Sequence, residues 1–413
     1  MRPALPEGPY LVVGLARSGA AAARMLLPHG RVLAADRARP EVPEGVEAHL
    51  ESDGVELLDR VALVVKSPGV PGDAPAIAAA RERRLPVLGE LELAWRLLPN
   101  RLVAVTGTNG KTTTTELLGA VWRAAGLPVA VAGNVGTPLA ALVGSLDAET
   151  TVVCEVSSFQ AEDSEALAPD TALLLNLEED HLDRHGTLDA YRDAKLRVFC
   201  NQTAEQIAVA PPGFELPGEG RRVTFGDPAE LPLRPEEIRL RGPHNLENAM
   251  GASAAALASG VPAEAVAAAL RDFAGVPHRL EEVGSAGGVL YVNDSKATNV
   301  ASARRGIESF DHGVHVILGG SLKGGGFAGL RDAVAARCRA CYLIGEAAER
   351  LAGDLEGTVP LHPCGDLETA VHAATAAAQP GEVVLLSPAC ASFDQFRDYE
   401  ERGDRFRSLV PRA

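Results

Sequence analysis

Gly107-Thr108-Asn109-Gly110-Lys111-Thr112-Thr113 directly follows the apolar run RLVAV (101–105). A glycine-rich turn between a strand and a helix aims backbone N–H groups at a polyphosphate, and the positive end of the helix dipole adds to the attraction. The lysine reaches terminal phosphates, and the threonine hydroxyl after it can ligate magnesium. The full pattern asks for glycine at 105, where this chain has Val105. Of 39 basic residues only five are lysines: Lys66, Lys111, Lys195, Lys296 and Lys323. Guanidinium is planar and permanently charged, whereas lysine is a compact charge whose amine can lose its proton. Four of the five fall in segments that read as phosphate, metal or anion chemistry. Lys66 has no such setting and reads as incidental.

Other polar clusters close apolar runs. Glu155 ends TVVCEV (151–156), and His181 and Asp183 follow TALLLN (171–176). Strand ends beside a phosphate loop suit magnesium ligands. Magnesium prefers carboxylates, phosphates and water, so on spacing alone His181 reads as a solvated or structural histidine. Lys195 lies in DAYRDAKLRVF (189–199), where a surface lysine is the plain alternative. His244, Asn245 and Asn248 lie where an alanine-rich helix opens, as an amide cap or as part of a site. Arg279, in Pro277-His278-Arg279, suits either an ion pair or a phosphate contact. Asp294, Lys296 and Thr298 in NDSKATN, Lys323 in GGSLKGGG, and Ser392 and Phe393 in SPACASFDQF each follow a strand-like run, so the three loops can line one pocket. Nearer the start, Gly14–Gly19 lacks the middle glycine of a dinucleotide fingerprint. Asp36 ends RVLAAD, where an acid can bind a ribose hydroxyl, and Ser67-Pro68-Gly69 ends VALVVK.

Such loops need strands and helices to hold them. Three blocks alternate short apolar runs with helical stretches, which predicts an α/β protein with parallel, doubly wound sheets. The blocks are 1–95, a Rossmann-like domain; 96–275, a central domain of P-loop type; and 276–413, a second Rossmann-like domain. Strands are expected at 9–14, 31–36, 61–66, 101–105, 151–156, 171–176, 289–294, 314–320, 341–346 and 382–388. Helices are expected at 245–260 and 262–273, with Pro262 in a first turn and Gly260 as a stop.

With 46% hydrophobic and 23% charged residues the composition is that of a soluble globular protein. A net charge of −16 argues against nucleic acid as a main partner. No run is apolar and long enough for a membrane span, and the N-terminus has no signal-peptide pattern. Six scattered cysteines fit a reducing compartment. The lone Cys338-x-x-Cys341 has no second pair and reads as core.

Taken together, GTNGKTT, EVSSFQ, EDHLDRHG, HNLEN, PHR, NDSKATN and SPACASFDQF, in this order and at these distances, resemble the Mur ligase family over essentially the whole chain. NDSKATN and SPACASFDQF are similar to the branch that joins D-glutamate to UDP-N-acetylmuramoyl-L-alanine. Sister branches, folylpolyglutamate synthases among them, carry a D-Y-A-H type segment where this chain has Asp294-Ser295-Lys296-Ala297. The resemblance implies a cytoplasmic, ATP-dependent amide ligase of peptidoglycan precursor synthesis, working through an acyl phosphate with two Mg²⁺ ions. It implies that Gly107 to Thr113, Asn245, Asn248, Arg279, Asp294 and Lys296 hold ATP. Thr112, Glu155, His181 and a carbamylated Lys195 would serve the metals, with Lys111, Glu155, His181 and Lys195 catalytic. Asn134 and Ser157 would meet the muramoyl substrate, Asp36, Ser67 and Gly69 the uridine diphosphate, and Thr298, Lys323, Ser392 and Phe393 the D-glutamate. No nucleic acid or membrane partner is expected, and the chain is expected to act as a monomer. A nicotinamide-dependent dehydrogenase is disfavoured by the missing middle glycine, and a non-catalytic nucleotide-binding module by the full set of metal and cation positions.

Overall fold

Runs of valine, leucine and alanine that are apolar on both faces can only be satisfied as central strands covered by helices on either side. In the computed structural model, which describes residues 2–411 apart from positions 181, 241, 323 and 324, such runs build three sheets. The first consists of β1 (Tyr10–Val13), β2 (Val32–Asp36), β3 (Glu47–Leu50), β4 (Leu63–Lys66) and β5 (Val87–Gly89), all parallel in the order β3-β2-β1-β4-β5. The chain runs outward from β1 and then crosses to β4. The loops after β1 and β4 therefore flank the point where strand order reverses, the usual place for a ligand.

The second sheet holds β6 (Leu102–Thr106), β7 (Val129–Gly133), β8 (Thr151–Glu155), β9 (Thr171–Leu174), β10 (Ile207–Ala210) and β11 (Arg221–Thr224), all parallel in the order β11-β10-β9-β6-β8-β7. β6 lies between β8 and β9, so the glycine-rich turn after β6 is flanked by the ends that carry Glu155 and the 175–183 segment. The alanine-rich helices run Pro243–Ala258 and Ala263–Asp272. Pro262 is the N-cap of the second helix rather than a residue of its first turn, and Gly260, at φ 90°, follows the end of the first.

The third sheet comprises β12 (Glu281–Ala286), β13 (Val289–Asn293), β14 (Val314–Gly319), β15 (Cys338–Ile344), β16 (Leu361–Gly365) and β17 (Val383–Leu386) in the order β12-β13-β17-β14-β15-β16. Only the edge strand β12 is antiparallel, paired with β13. Cys338 opens β15 and Cys341 is buried in the core; all six cysteines are free thiols. The chain divides into two compact units, Met1–Phe273 and Ala274–Ala413. Within the first unit one apolar cluster runs from Tyr10 and Val12 through Leu91 and Trp95 to Ala104, Cys154 and Phe199, so the first two sheets share a core.

That shared core contains an acid. Glu90, 1% exposed, begins the helix Glu90–Leu97; its Oε1 accepts the Ala140 N–H at 2.6 Å and its Oε2 has no partner among the described residues. Burial pushes the carboxyl up to about 7, against the smaller pull of the Ala140 N–H. The folded value exceeds the unfolded one, so the stability this group contributes is fully present below about pH 4.5 and is lost as pH rises through 7. Against Glu90→Gln, wild type should lose roughly 3 kcal/mol over that window. Urea unfolding of both at pH 4.5 and 8 measures it; equal pH slopes would contradict the assignment.

Candidate active site

The phosphate loop is shaped by glycines and braced by amides. Gly107 (φ 150°) and Gly110 (φ 81°) take backbone angles that side chains rarely adopt. A Cβ on Gly110 would run into Asn248 Oδ1 of the helix Pro243–Ala258. Asn248 in turn donates to Asn245 Oδ1 at 3.2 Å. The N-cap of that helix is Gly242, so the cap reading of Asn245 and Asn248 does not hold: Asn248 packs against the phosphate loop instead. Asn176 Oδ1, at the end of the β9 segment, accepts the N–H groups of Thr108 (3.1 Å) and Asn109 (2.8 Å). Asn109 donates to Glu178 Oε2 at 2.8 Å, and Thr108 Oγ1 lies 3.1 Å from the Tyr191 hydroxyl. Lys111, first residue of the helix Lys111–Ala124, folds back to donate to Gly107 O and Thr108 O, each at 2.9 Å. Thr112 and Thr113 are buried in the same first turn.

Lys195 reaches the loop from behind. It is 2% exposed on the helix Leu188–Cys200, donates to Gly107 O at 2.6 Å and sits 4.4 Å from the centre of the Tyr191 ring. The surface reading of this lysine is therefore wrong. Burial, and then the nearby charge of Lys111, push its amine down to about 7, with Asp180 and Glu155 pulling the other way. Glu155 is 3% exposed at the end of β8; Asn134 donates to its Oε1 at 3.3 Å, and it has no ion pair among the described residues. The buried Glu155 carboxylate and the Thr112 hydroxyl at the helix start are oxygen donors of the kind that Mg²⁺ takes. Among the described residues no three His, Cys, Asp or Glu side chains gather into a ready-made metal cluster. His181 lies outside the described residues, as does the Asp183 side chain. Ser157 is the N-cap of the short helix Ser158–Ala161, in a reciprocal cap with Gln160.

At the first sheet's switch point, Asp36 Oδ2 accepts the Leu15 N–H at 2.7 Å and Oδ1 accepts the Ala38 N–H at 2.8 Å, while Ser67 donates to Gly14 O at 2.6 Å. Gly69 is exposed, with open space where a Cβ would stand. Arg17 donates across to Gly136 O at 3.0 Å, tying this end to the Gly133–Gly136 loop that carries Asn134.

The remaining predicted residues belong to the second unit. Asp294 and Lys296 follow β13, and Ser392 and Phe393 follow β17. Ser387 donates to Asp294 Oδ2 at 2.7 Å, and the Leu280 N–H donates to Oδ1 at 3.2 Å. Burial pushes the Asp294 carboxyl up to about 7 despite these bonds and the charges of Arg279 and Arg305. Lys296 and Thr298 are half-buried; the Lys296 N–H donates to His278 O at 3.0 Å. Ser392 is buried and Phe393 is 71% exposed. The loop after β14 pairs through Ser321 with Ala391, and Asp394 accepts from Ser321 Oγ. Lys323, two residues beyond Ser321, lies outside the described residues.

Sequence reasoning missed the group that fastens these loops together. Arg402, fully buried on the helix Tyr399–Leu409, donates to Ser295 Oγ (3.0 Å), Ser295 O (2.8 Å), Cys390 O (3.1 Å) and Ala391 O (3.2 Å). The 390–391 stretch it holds follows Ala389, at a left-handed φ of 60° without being glycine. Replacing Arg402 by methionine orphans buried acceptors. The second unit should lose about 3 kcal/mol or more, read as a lower denaturant midpoint; an unchanged midpoint would refute the role.

Residues 105–213 match the Mur ligase middle domain and residues 278–390 the Mur ligase glutamate ligase domain. The chain belongs to the Mur ligase family. It is 42% identical over 439 residues to the UDP-N-acetylmuramoylalanine--D-glutamate ligase of Acidobacterium capsulatum, covering 97% of this chain and 95% of that one. It is 40% identical to the enzyme of the same name from Geotalea daltonii, covering 97% and 96%. Among solved structures it shares its fold with the UDP-N-acetylmuramate-alanine ligase of Thermotoga maritima (TM-score 0.57, 20% identity, 97% and 99% covered). It also shares it with the MurF ligase of Thermotoga maritima in complex with ADP (TM-score 0.56, 17% identity, 98% and 94% covered).

Proposed function

We propose that this chain joins D-glutamate to the alanyl carboxylate of UDP-N-acetylmuramoyl-L-alanine at the expense of ATP, as a monomeric cytoplasmic enzyme of peptidoglycan precursor synthesis. Residues 1–95 would take the uridine diphosphate, 96–275 the ATP, and 276–413 the amino acid. The observation that carries the reading is one carbonyl, Gly107 O, shared by two lysine amines, Lys111 and the buried Lys195, beside a buried Glu155.

A carboxylate oxygen of the substrate attacks the γ-phosphorus, and ADP leaves. The amine of D-glutamate then attacks the acyl carbon, loses a proton, and the tetrahedral adduct expels phosphate. Lys111 and the loop N–H groups neutralise charge on the transferring phosphoryl group. Bound Mg²⁺ would supply further neutralisation, held by Thr112, Glu155, His181 and the carbamate of Lys195. Carbamylation needs a neutral amine to attack CO₂, and an amine pushed down to about 7 supplies it near neutral pH. Asn245, Asn248, Arg279, Asp294 and Lys296 are assigned to ATP, and Thr298, Lys323, Ser392 and Phe393 to D-glutamate. Asn134 and Ser157 are assigned to the muramoyl group, and Asp36, Ser67 and Gly69 to the nucleotide. Among the described residues no helix is long and apolar enough to cross a membrane.

The test is ATP-dependent phosphate release, with and without UDP-N-acetylmuramoyl-L-alanine, against D-glutamate, L-glutamate, L-alanine and a folate, with products weighed by mass spectrometry. Release that needs both the nucleotide and D-glutamate, with a product one glutamyl unit heavier, is expected. Release with folate and L-glutamate would replace the reading.

A further inference from the structure

Lys66 is the one lysine the reaction leaves unused, and it is far from incidental. It ends β4 with its side chain fully buried, and its Nζ contacts Glu162 Oε1 at 3.0 Å and Asp163 Oδ2 more closely still. These acids follow the short helix that Ser157 caps, so the contact crosses from the first sheet to the second. Two arginines converge on the same acids. Arg184, just past the 181–183 segment, donates to Glu162 Oε1 at 2.8 Å and lies 4.6 Å from the centre of the Phe159 ring. Arg81 Nη2 is 3.6 Å from Asp163 Oδ1.

Both arginines also grip the loop that Lys66 introduces. Arg184 donates to Val70 O at 3.0 Å and Arg81 to Gly72 O at 2.8 Å. Burial drives the Asp163 carboxyl up even though Lys66 opposes it; at Glu162, Lys66 and Arg184 together outweigh burial and hold the carboxyl low. Taking two cations, Lys66 and Arg184, and two acids largely out of water, with Arg81 at the exposed rim, is an expensive way to join two surfaces already sharing an apolar core. What the ionic group adds over apolar contact is direction: it fixes one loop in register with another.

We infer that Lys66, Glu162, Asp163, Arg81 and Arg184 form a positioning clasp that sets the 67–72 loop against the Ser157 and 182–185 segments, and so presents the nucleotide substrate to the phosphate loop. The inference rests on the reading of Ser67 and Gly69 as nucleotide contacts. None of the five is a catalytic residue here.

The experiment compares wild type with Lys66→Met and Arg184→Met, the second leaving Lys66 paired with both acids should the first fail to fold. Calorimetric titration with UDP-N-acetylmuramoyl-L-alanine, and KM for each substrate, are the readouts. In a folded variant the dissociation constant and KM for the nucleotide should rise about tenfold or more, with KM for ATP and D-glutamate nearly unchanged. A lower melting temperature with unchanged nucleotide affinity would overturn the inference and leave a structural brace. If wild type itself does not bind the nucleotide, the functional reading fails first, and the inference goes with it.

Discussion

Lys195→Ala is expected to lower kcat by about a thousandfold while the protein still folds and binds ATP. The amine lies against Gly107 O and the Tyr191 ring and is nearly sealed from solvent, so truncation empties the place where a carbamate would present its oxygens. Formate or acetate, small carboxylates able to enter that space, should restore part of the rate. Lys195→Arg should stay inactive, because guanidinium cannot become the neutral nucleophile that CO₂ requires. Carbon-13 bicarbonate should give wild type a carbamate resonance that both variants lack. Stability gives an independent check. The folded amine titrates near 7 and the unfolded one near 10.5, so the unfolded chain binds the extra proton between those values. This group therefore penalises folding below about pH 7, and the penalty recedes as pH rises toward 10.5. Lys195→Met should lose that rise. Activity of Lys195→Ala within tenfold of wild type would remove the lysine from the mechanism.

Lys111→Ala should lower kcat/KM for ATP by roughly 10²- to 10³-fold. Its ammonium is braced by two carbonyls of its own loop, which on the proposed reading would hold the charge beside the transferring phosphoryl group. Lys111→Arg should not rescue, since a planar fork cannot reproduce a compact charge there. Lys111 is also the second cause of the low Lys195 value. Its removal should move the onset of carbamate formation to higher pH, visible in the same carbon-13 signal. Steady-state rates against ATP concentration decide the first claim; an unchanged pH onset would show that the two lysines do not communicate.

Lys111 was legible in the sequence because its surroundings are contiguous, a strand, a glycine turn and a helix. Strands buried on both faces, such as β2 and β6, were equally plain. For Lys195 the residues alone offered a surface lysine, and it was the family resemblance that pointed to a site role, because its burial depends on contacts distant in the chain. The runs EAHL, EEVGSA and LHPCG gave no strand signal, because β3, β12 and β16 are edge strands with half-exposed, partly polar faces. Lys66 escaped because its partners lie 96 and 97 residues away and become visible only once two sheets share a core. Arg402 escaped for another reason: most of its acceptors are main-chain carbonyls, which every residue carries and no pattern marks. Asn176 and Tyr191, which brace the phosphate loop, sat within segments already singled out, yet nothing in their spacing aims them at Thr108.

The way the core is partitioned bears on how such a chain can change its chemistry. One apolar cluster is common to the first two sheets, so substitutions within it bear on the loops of both. Residues 274–413 have interiors of their own, and their functional loops are fastened by an arginine from within the same unit. On the proposed division of labour, selection on the incoming amino acid could act within the second unit without reopening the core common to the first two sheets. Exchange of the second unit leaves that common core intact, whereas exchange of the first sheet alone would cut through it.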